Sequence, residues 1–194
     1  MIEHKDLLFK QNVTWDGVWN IWKAYEGSDP VWQRFAVKEK GFESWDAWRR
    51  YQISFLKPET LQWCLYKIKK PMEFIPSMRL GPFRGWQKHF VEKNVKTFAD
   101  LVDEQYDWVK ENVGVKNRLE NFPQKTQFIA LYLKDEDVYV MYEGHHRATA
   151  ISLAVNDGVD IDFTSLPTLA VAEIEYGGKR LMNRLLEIPR KKLV

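Results

Sequence analysis

The 194-residue chain predicts an α+β protein, with a tryptophan-rich helical region over residues 1–70 and a mixed α/β domain over residues 71–194. Three features carry that reading. Seven of the nine tryptophans fall in the first 70 residues, several at helical spacing. The apolar runs "TQFIALYL" and "DVYVMYE" flank the charged turn "KDED", as two strands of a hairpin do. The second run then passes through Glu143 and Gly144 directly into "HHRATAISLAVNDG", a helix pattern.

Taken in order, Trp15, Trp19 and Trp22 stand at i, i+4 and i+7 and share one helical face, with Thr14 as N-cap and Gly27 as stop. "SDPVWQRFAVKEKG" predicts a second helix, capped by Ser28 or Asp29, with Pro30 in its first turn and Gly41 past its end. "ESWDAWRRYQISFL" predicts a third, capped by Ser44, and "KPETLQWCLYKIKK" a fourth, opened by Pro58. These aromatics read first as the core of a small helical bundle, with some available to line a pocket. Beyond a boundary near Lys70, "MEFIPSMRL" reads as extended and "GPFRGW" as a loop. "FADLVDEQYDWVKENVG" is a helix from cap Thr97 to stop Gly114. "PTLAVAEIEY" is a last strand and "GKRLMNRLLEIP" a closing helix.

A formal net charge of +2 gives no overall case for a nucleic-acid coat or a membrane-surface protein, though a local basic groove is compatible with it. Cys64 is the single cysteine and sits in an apolar run, so it reads as a packed thiol, with no disulfide or cysteine metal cluster. "MIEHKDLLFK" lacks the apolar core of a signal peptide, and no stretch is long enough to span a bilayer. A cytoplasmic location without membrane partners is the expectation. "NVT" at Asn12 then reads as a chance glycosylation match.

The corner "YEGHHRATA" holds two of the four histidines. Gly144 permits a sharp bend and a close ligand approach. The helix start that follows offers unpaired N–H groups and the positive end of a dipole, an anion site before any side chain is counted. Arg147 adds a planar fork suited to phosphate, and His145 and His146 add donors sensitive to pH. Glu143 stands ready to hold a magnesium ion or take a proton. The same residues equally admit a plain Glu143–Arg147 ion pair with one histidine capping the helix. A zinc site is weaker, because adjacent histidines point apart and His4 and His89 have no ligand spacing.

With its surrounding order of helix, strand, turn, strand, helix and strand, "YVMYEGHHRATAISLA" resembles the phosphate-binding signature of the ParB/sulfiredoxin superfamily. The resemblance spans about Pro71 to Tyr176 and is specific only at "EGHHR". It implies a ParB/sulfiredoxin-like mixed-sheet domain in which Gly144, His145, His146 and Arg147 hold the phosphates of ATP or CTP, with Mg2+. It also places Glu143, and His145 beside it, in catalysis. His145 stands where sulfiredoxin carries its cysteine, which argues against that thiol chemistry. Too little chain follows the last strand for the helix-turn-helix of partition proteins. The second phosphate loop has two candidates: "RLGPFRGWQK", with Arg79, Arg84 and Lys88, and "KNRLENFPQK", with Lys116 and Arg118; the first is preferred because glycines bracket Arg84.

The function expected is therefore a nucleotide-binding enzyme, a phosphotransferase or nucleotide hydrolase acting on a small molecule. A nucleic-acid-binding module or ParB-like nuclease is the alternative, using the lysines of "YKIKK" and the tail "IPRKKLV". A third reading is a degenerate corner on a structural or regulatory partner.

Overall fold

A five-stranded mixed sheet organises the chain, in the order β1 (Leu7–Val13), β2 (Trp63–Ile68), β5 (Thr168–Ile174), β3 (Gln127–Leu133), β4 (Val138–Glu143). The computed structural model describes residues 5–122 and 126–188. β3 and β5 run parallel, and every other neighbouring pair is antiparallel. Before β2 come helices α1 (Trp15–Trp22), α2 (Pro30–Arg34) and α3 (Trp45–Ser54). After it come α4 (Pro71–Ser77), α5 (Arg84–Gln87), α6 (Phe98–Glu104), α7 (Tyr106–Glu111) and α8 (Val113–Glu120). α9 (His145–Asn156) links β4 to β5, and α10 (Gly178–Glu187) follows β5.

Each face of the sheet founds a core. β3 is buried at all seven positions. Phe128, Ala130 and Tyr132 join Phe74, Phe98, Leu101, Val115 and Ile151 on one side. Ile129, Leu131 and Leu133 join Trp15, Trp19, Trp22, Trp45, Trp48, Met182 and Leu185 on the other. The alternation is the two-residue period of a strand with both faces covered. The tryptophans are core, as their spacing predicts, but the surface they cover is a sheet.

The local signals at helix starts are realised. Thr14 accepts from Gly17 N–H, Asp29 from Val31 N–H with Pro30 at the first position, and Ser44 from Ala47 N–H. Thr97 and Asp100 form a reciprocal capping box. Gly41 and Gly158 take positive φ beyond their helices.

Several expectations are corrected. "KPETLQWCLYKIKK" is not a helix: Pro58–Thr60 makes one 3-10 turn, and Trp63–Ile68 is β2. A strand covered on both faces reads as a continuous apolar run, which periodicity alone does not separate from a helix. "MEFIPSMRL" is mostly α4, with Pro71 where no N–H partner is needed and Pro76 close to its end. The long helix after Thr97 breaks at Gln105 and Asn112 into α6, α7 and α8, so Gly114 lies inside α8 rather than ending a helix. β1 was not expected at all; only Leu7 of its seven residues is buried.

The sheet therefore crosses the boundary expected near Lys70, since β1 pairs with β2 and β2 with β5. The first 70 residues are not helical alone. Cys64 is half-buried on β2, its thiol donating to Asn12 Oδ1 at 3.3 Å. Among the described residues, no helix is long and apolar enough to cross a membrane.

Because β3 carries both cores, urea unfolding is expected as one transition, coincident by far-UV circular dichroism and by methyl NMR. Trp45→Ala, which empties a fully buried site in the first 70 residues, is expected to move both curves together by about 3–5 kcal/mol.

Candidate functional site

β4 delivers Glu143 to the sheet end, and the chain turns at Gly144 with φ +112°. A side chain there would be strained by the backbone and would strike the Phe128 ring at 2.3 Å. Glycine is thus required by packing as well as by the bend. α9 opens at once, and its first residues face a cavity of about 500 Å³. The opposite wall is the tryptophan-rich region: Trp22, Tyr25, Glu26, Trp32, Trp48, Arg49 and Gln52 line it, with Phe83 and Trp86 from the loop around α5.

The structure brings Glu143, Gly144, His145, His146 and Arg147 together at this cavity, with Arg84. Their roles differ from those expected. Arg147 Nη2 donates to both Glu143 oxygens, at 2.7 and 2.6 Å, and Nη1 donates to Thr126 Oγ1 at 2.6 Å. The guanidinium lies over Phe128 and Tyr25. Of the two readings of this corner, the ion pair is the one present. Burial pushes the Glu143 carboxyl up, against the pull of Arg147.

His145 Nε2 accepts the Gly81 N–H at 3.0 Å, so that nitrogen carries a lone pair and not a proton. Its ring stacks on Trp86 at 5.4 Å and meets Phe83 and Phe98. Gly81 has no space for a side chain, since a Cβ would stand 2.1 Å from Met141 O. His145 is a packed neutral imidazole joining α9 to the loop before α5. His146 sits against Trp86 at 5.0 Å and so close to α8 that a Cβ on Gly114 would come within 2.4 Å of its ring. Burial brings its pKa down to about 4, with Arg118 adding to the effect. It is neutral near pH 7 and offers no positive charge to a phosphate.

Arg79 is not at the cavity. Its Nη1 donates to Glu136 at 2.6 Å, at the β3–β4 turn. Arg84 lines the cavity, but Nε and Nη2 donate to the Leu186 and Glu187 carbonyls at the end of α10. Lys88 lies over Trp108, and Lys116 pairs with Glu111. Arg118 also lines the cavity, and its guanidinium has no hydrogen-bond or ion-pair partner among the described residues. Each candidate loop thus sends one arginine. His89 packs against the Trp108 ring. His4 and the basic stretch 189–194 lie outside the described residues.

The reading of residues 1–70 as core missed a second buried pair. Arg49 Nε and Nη2 donate to Glu26 at 2.9 and 2.8 Å, and Glu26 also accepts from Trp22 Nε1 at 3.1 Å and Trp45 Nε1 at 2.9 Å. The Arg49 guanidinium lies 4.0 Å from the Trp48 ring centre. A charged residue on an otherwise aromatic helix face was the only signal in the sequence. The two carboxylates lining the cavity are therefore each held by an arginine. No group of three His, Cys, Asp or Glu suited to a metal occurs among the described residues. As a resident magnesium site, this donor set does not fit.

The arrangement is an aromatic-walled cavity whose acidic groups are neutralised in place and whose remaining charged lining, Lys40, Arg84 and Arg118, is cationic. It suits an anionic ligand with a flat ring. Compared with known proteins, the chain matches no family model, no curated protein and no solved structure.

Arg147→Ala leaves Glu143 buried and unpaired, and the expected loss is about 3–5 kcal/mol in urea denaturation. Glu143→Gln added to it should return part of that loss, because no charge then remains to be solvated. Below pH 6.5 the unfolded chain protonates His146, while the folded ring resists until about pH 4. Stability is expected to fall as pH drops through that window. His146→Phe should flatten the slope there when the two pH–stability curves are subtracted.

Proposed function

We propose that this chain binds a nucleotide in the cavity between α9 and the tryptophan-rich helices, as ATP or CTP, and acts in phosphoryl transfer to a small molecule or in nucleotide hydrolysis. The observation carrying this reading is the meeting of two surfaces in one cavity. The α9 start, Arg84 and Arg118 favour phosphate, while Trp22, Trp32, Trp48 and Trp86 favour a planar ring. A volume of about 500 Å³ suits a ligand of nucleotide size. The resemblance at "EGHHR" supports the same class.

The ion pair changes the role of Arg147 in that reading. An incoming phosphate competes with Glu143 for the guanidinium, since both can accept two hydrogen bonds from its planar fork. When Arg147 turns to the phosphate, Glu143 is left buried without its partner, which strengthens it as a base. In phosphoryl transfer the acceptor hydroxyl would then give its proton to Glu143 as its oxygen bonds to the terminal phosphorus, while the bridging P–O bond breaks and the nucleoside diphosphate leaves with that electron pair. Magnesium enters this scheme only with the nucleotide, because Glu26 stays on Arg49 and Glu143 takes the proton.

A thermal-shift series with ATP and CTP, each with and without magnesium, tests the proposal. A ligand that binds only the folded chain raises the melting temperature. Arg118→Ala is expected to weaken binding of the active nucleotide about tenfold, a loss of about 1.4 kcal/mol, with the unliganded melting temperature unchanged. No shift with either nucleotide at millimolar concentration overturns the proposal. Binding of single-stranded DNA that falls steeply with salt would favour the nucleic-acid reading instead.

A further inference from the structure

We infer that Gln52 is a specificity-determining residue whose side-chain amide N–H groups hydrogen-bond an acceptor atom on the flat ring of the ligand. The inference deepens the nucleotide reading and rests on it.

Gln52 is 9% exposed and lines the cavity. Arg49 Nη1 donates to its Oε1 at 3.0 Å. Arginine has donors only, so the amide oxygen must face it, and this fixes which end of the amide is which. Arg49 is itself immobilised, with its two other nitrogens on Glu26 and its plane against Trp48. The Gln52 backbone is held as well, since its carbonyl accepts from the Tyr142 hydroxyl at 3.5 Å. The amide nitrogen is what remains. Among the described residues it has no acceptor. Nor is it among the sealed, unpartnered nitrogens of the interior, which Trp19 Nε1 and Trp48 Nε1 are. A nine-tenths buried amide with two unused donors thus stands in the wall between this cavity and a much smaller one lined by Pro82, Phe83, Leu185 and Ile188. Leaving such a group unpaired under a bound ligand costs more than pairing it gains, and that asymmetry is what discriminates between ligands.

The neighbours decide which part of a ligand it meets. Tyr142 packs against Trp22 and Phe83, so Gln52 stands among rings. Of the two cations assigned to phosphate, Arg118 acts on His146 at the α9 start, and Arg84 is anchored on the Leu186 and Glu187 carbonyls. Gln52 therefore reads a ring carbonyl or ring nitrogen. The phosphate end of the ligand does not depend on it.

The test compares ATP, CTP, GTP and UTP with inorganic triphosphate on the wild-type chain, on Gln52→Met and on Gln52→Glu, by isothermal titration. Gln52→Met removes the donors at similar size without adding charge, and with them the acceptor of Arg49 Nη1, which Gln52→Glu keeps. The tightest-binding nucleotide is expected to lose about tenfold in affinity with it, while inorganic triphosphate binds unchanged. Gln52→Glu keeps an acceptor for Arg49 but turns the cavity end into an acceptor, and should cost the nucleotide more than Gln52→Met does. Unchanged nucleotide affinity in Gln52→Met, or an equal loss for nucleotide and triphosphate, overturns the inference. Should one variant fail to fold, the nucleotide-to-triphosphate ratio in the other decides. Failure of the wild-type chain to bind any of the five ligands overturns the nucleotide reading itself, and the inference falls with it.

Discussion

Everything in this fold leans on the complete burial of β3. A strand covered on both sides commits its odd and even residues to separate cores, and each core recruits its own helical layer. Phe128, near the start of that strand, reaches Gly144 across the sheet end and supports the Arg147 guanidinium. The corner that starts α9 is therefore built on the same strand that seats the tryptophans. Shifting β3 by one residue would exchange its two faces and dismantle both layers and the cavity between them.

Two guanidinium–carboxylate pairs then give the cavity its electrostatic character. Glu26–Arg49 comes from the tryptophan-rich layer, and Glu143–Arg147 from the strand–helix corner. Buried pairs of this kind contribute little net stability, because desolvation offsets attraction, yet breaking either one exposes a bare charge. Their effect is selective. With both carboxylates neutralised, Arg118 and the amide of Gln52 are left to meet a ligand, and both are donors. Such a lining suits a ligand rich in hydrogen-bond acceptors.

The sequence was most legible where the physics is local. Thr14, Asp29, Ser44 and Thr97 cap helices through bonds within three residues, and the β3–β4 hairpin is marked by charge between apolar runs. Legibility failed where distant residues decide. β2 is apolar because β1 and β5 flank it and a core lies on each side, and nothing within "LQWCLYKI" says so. β1 is an edge strand with polar, exposed residues, so it carries no apolar signature. At the site, the residues of "EGHHR" were found but their partners were not. Glu143 and Arg147 admitted two readings, and Thr126 and the surrounding burial select between them. Glu26 and Arg49 lie 23 positions apart and meet only after α1 and α3 pack. Gly144 and Gly114 looked like backbone punctuation, whereas each leaves room for a ring, Phe128 in one case and His146 in the other.

The crowding of indoles has an optical consequence. Trp22, Trp32, Trp48 and Trp86 line one cavity, and Trp19, Trp22 and Trp45 stand within 6 Å of one another, ring centre to ring centre. Excitation absorbed by one member passes readily to its neighbours, so the cluster emits as a unit. An occupant that displaces water from Trp32 or stacks on a wall indole alters the intrinsic emission of the whole group. The protein thus carries a built-in, label-free reporter of what its cavity holds.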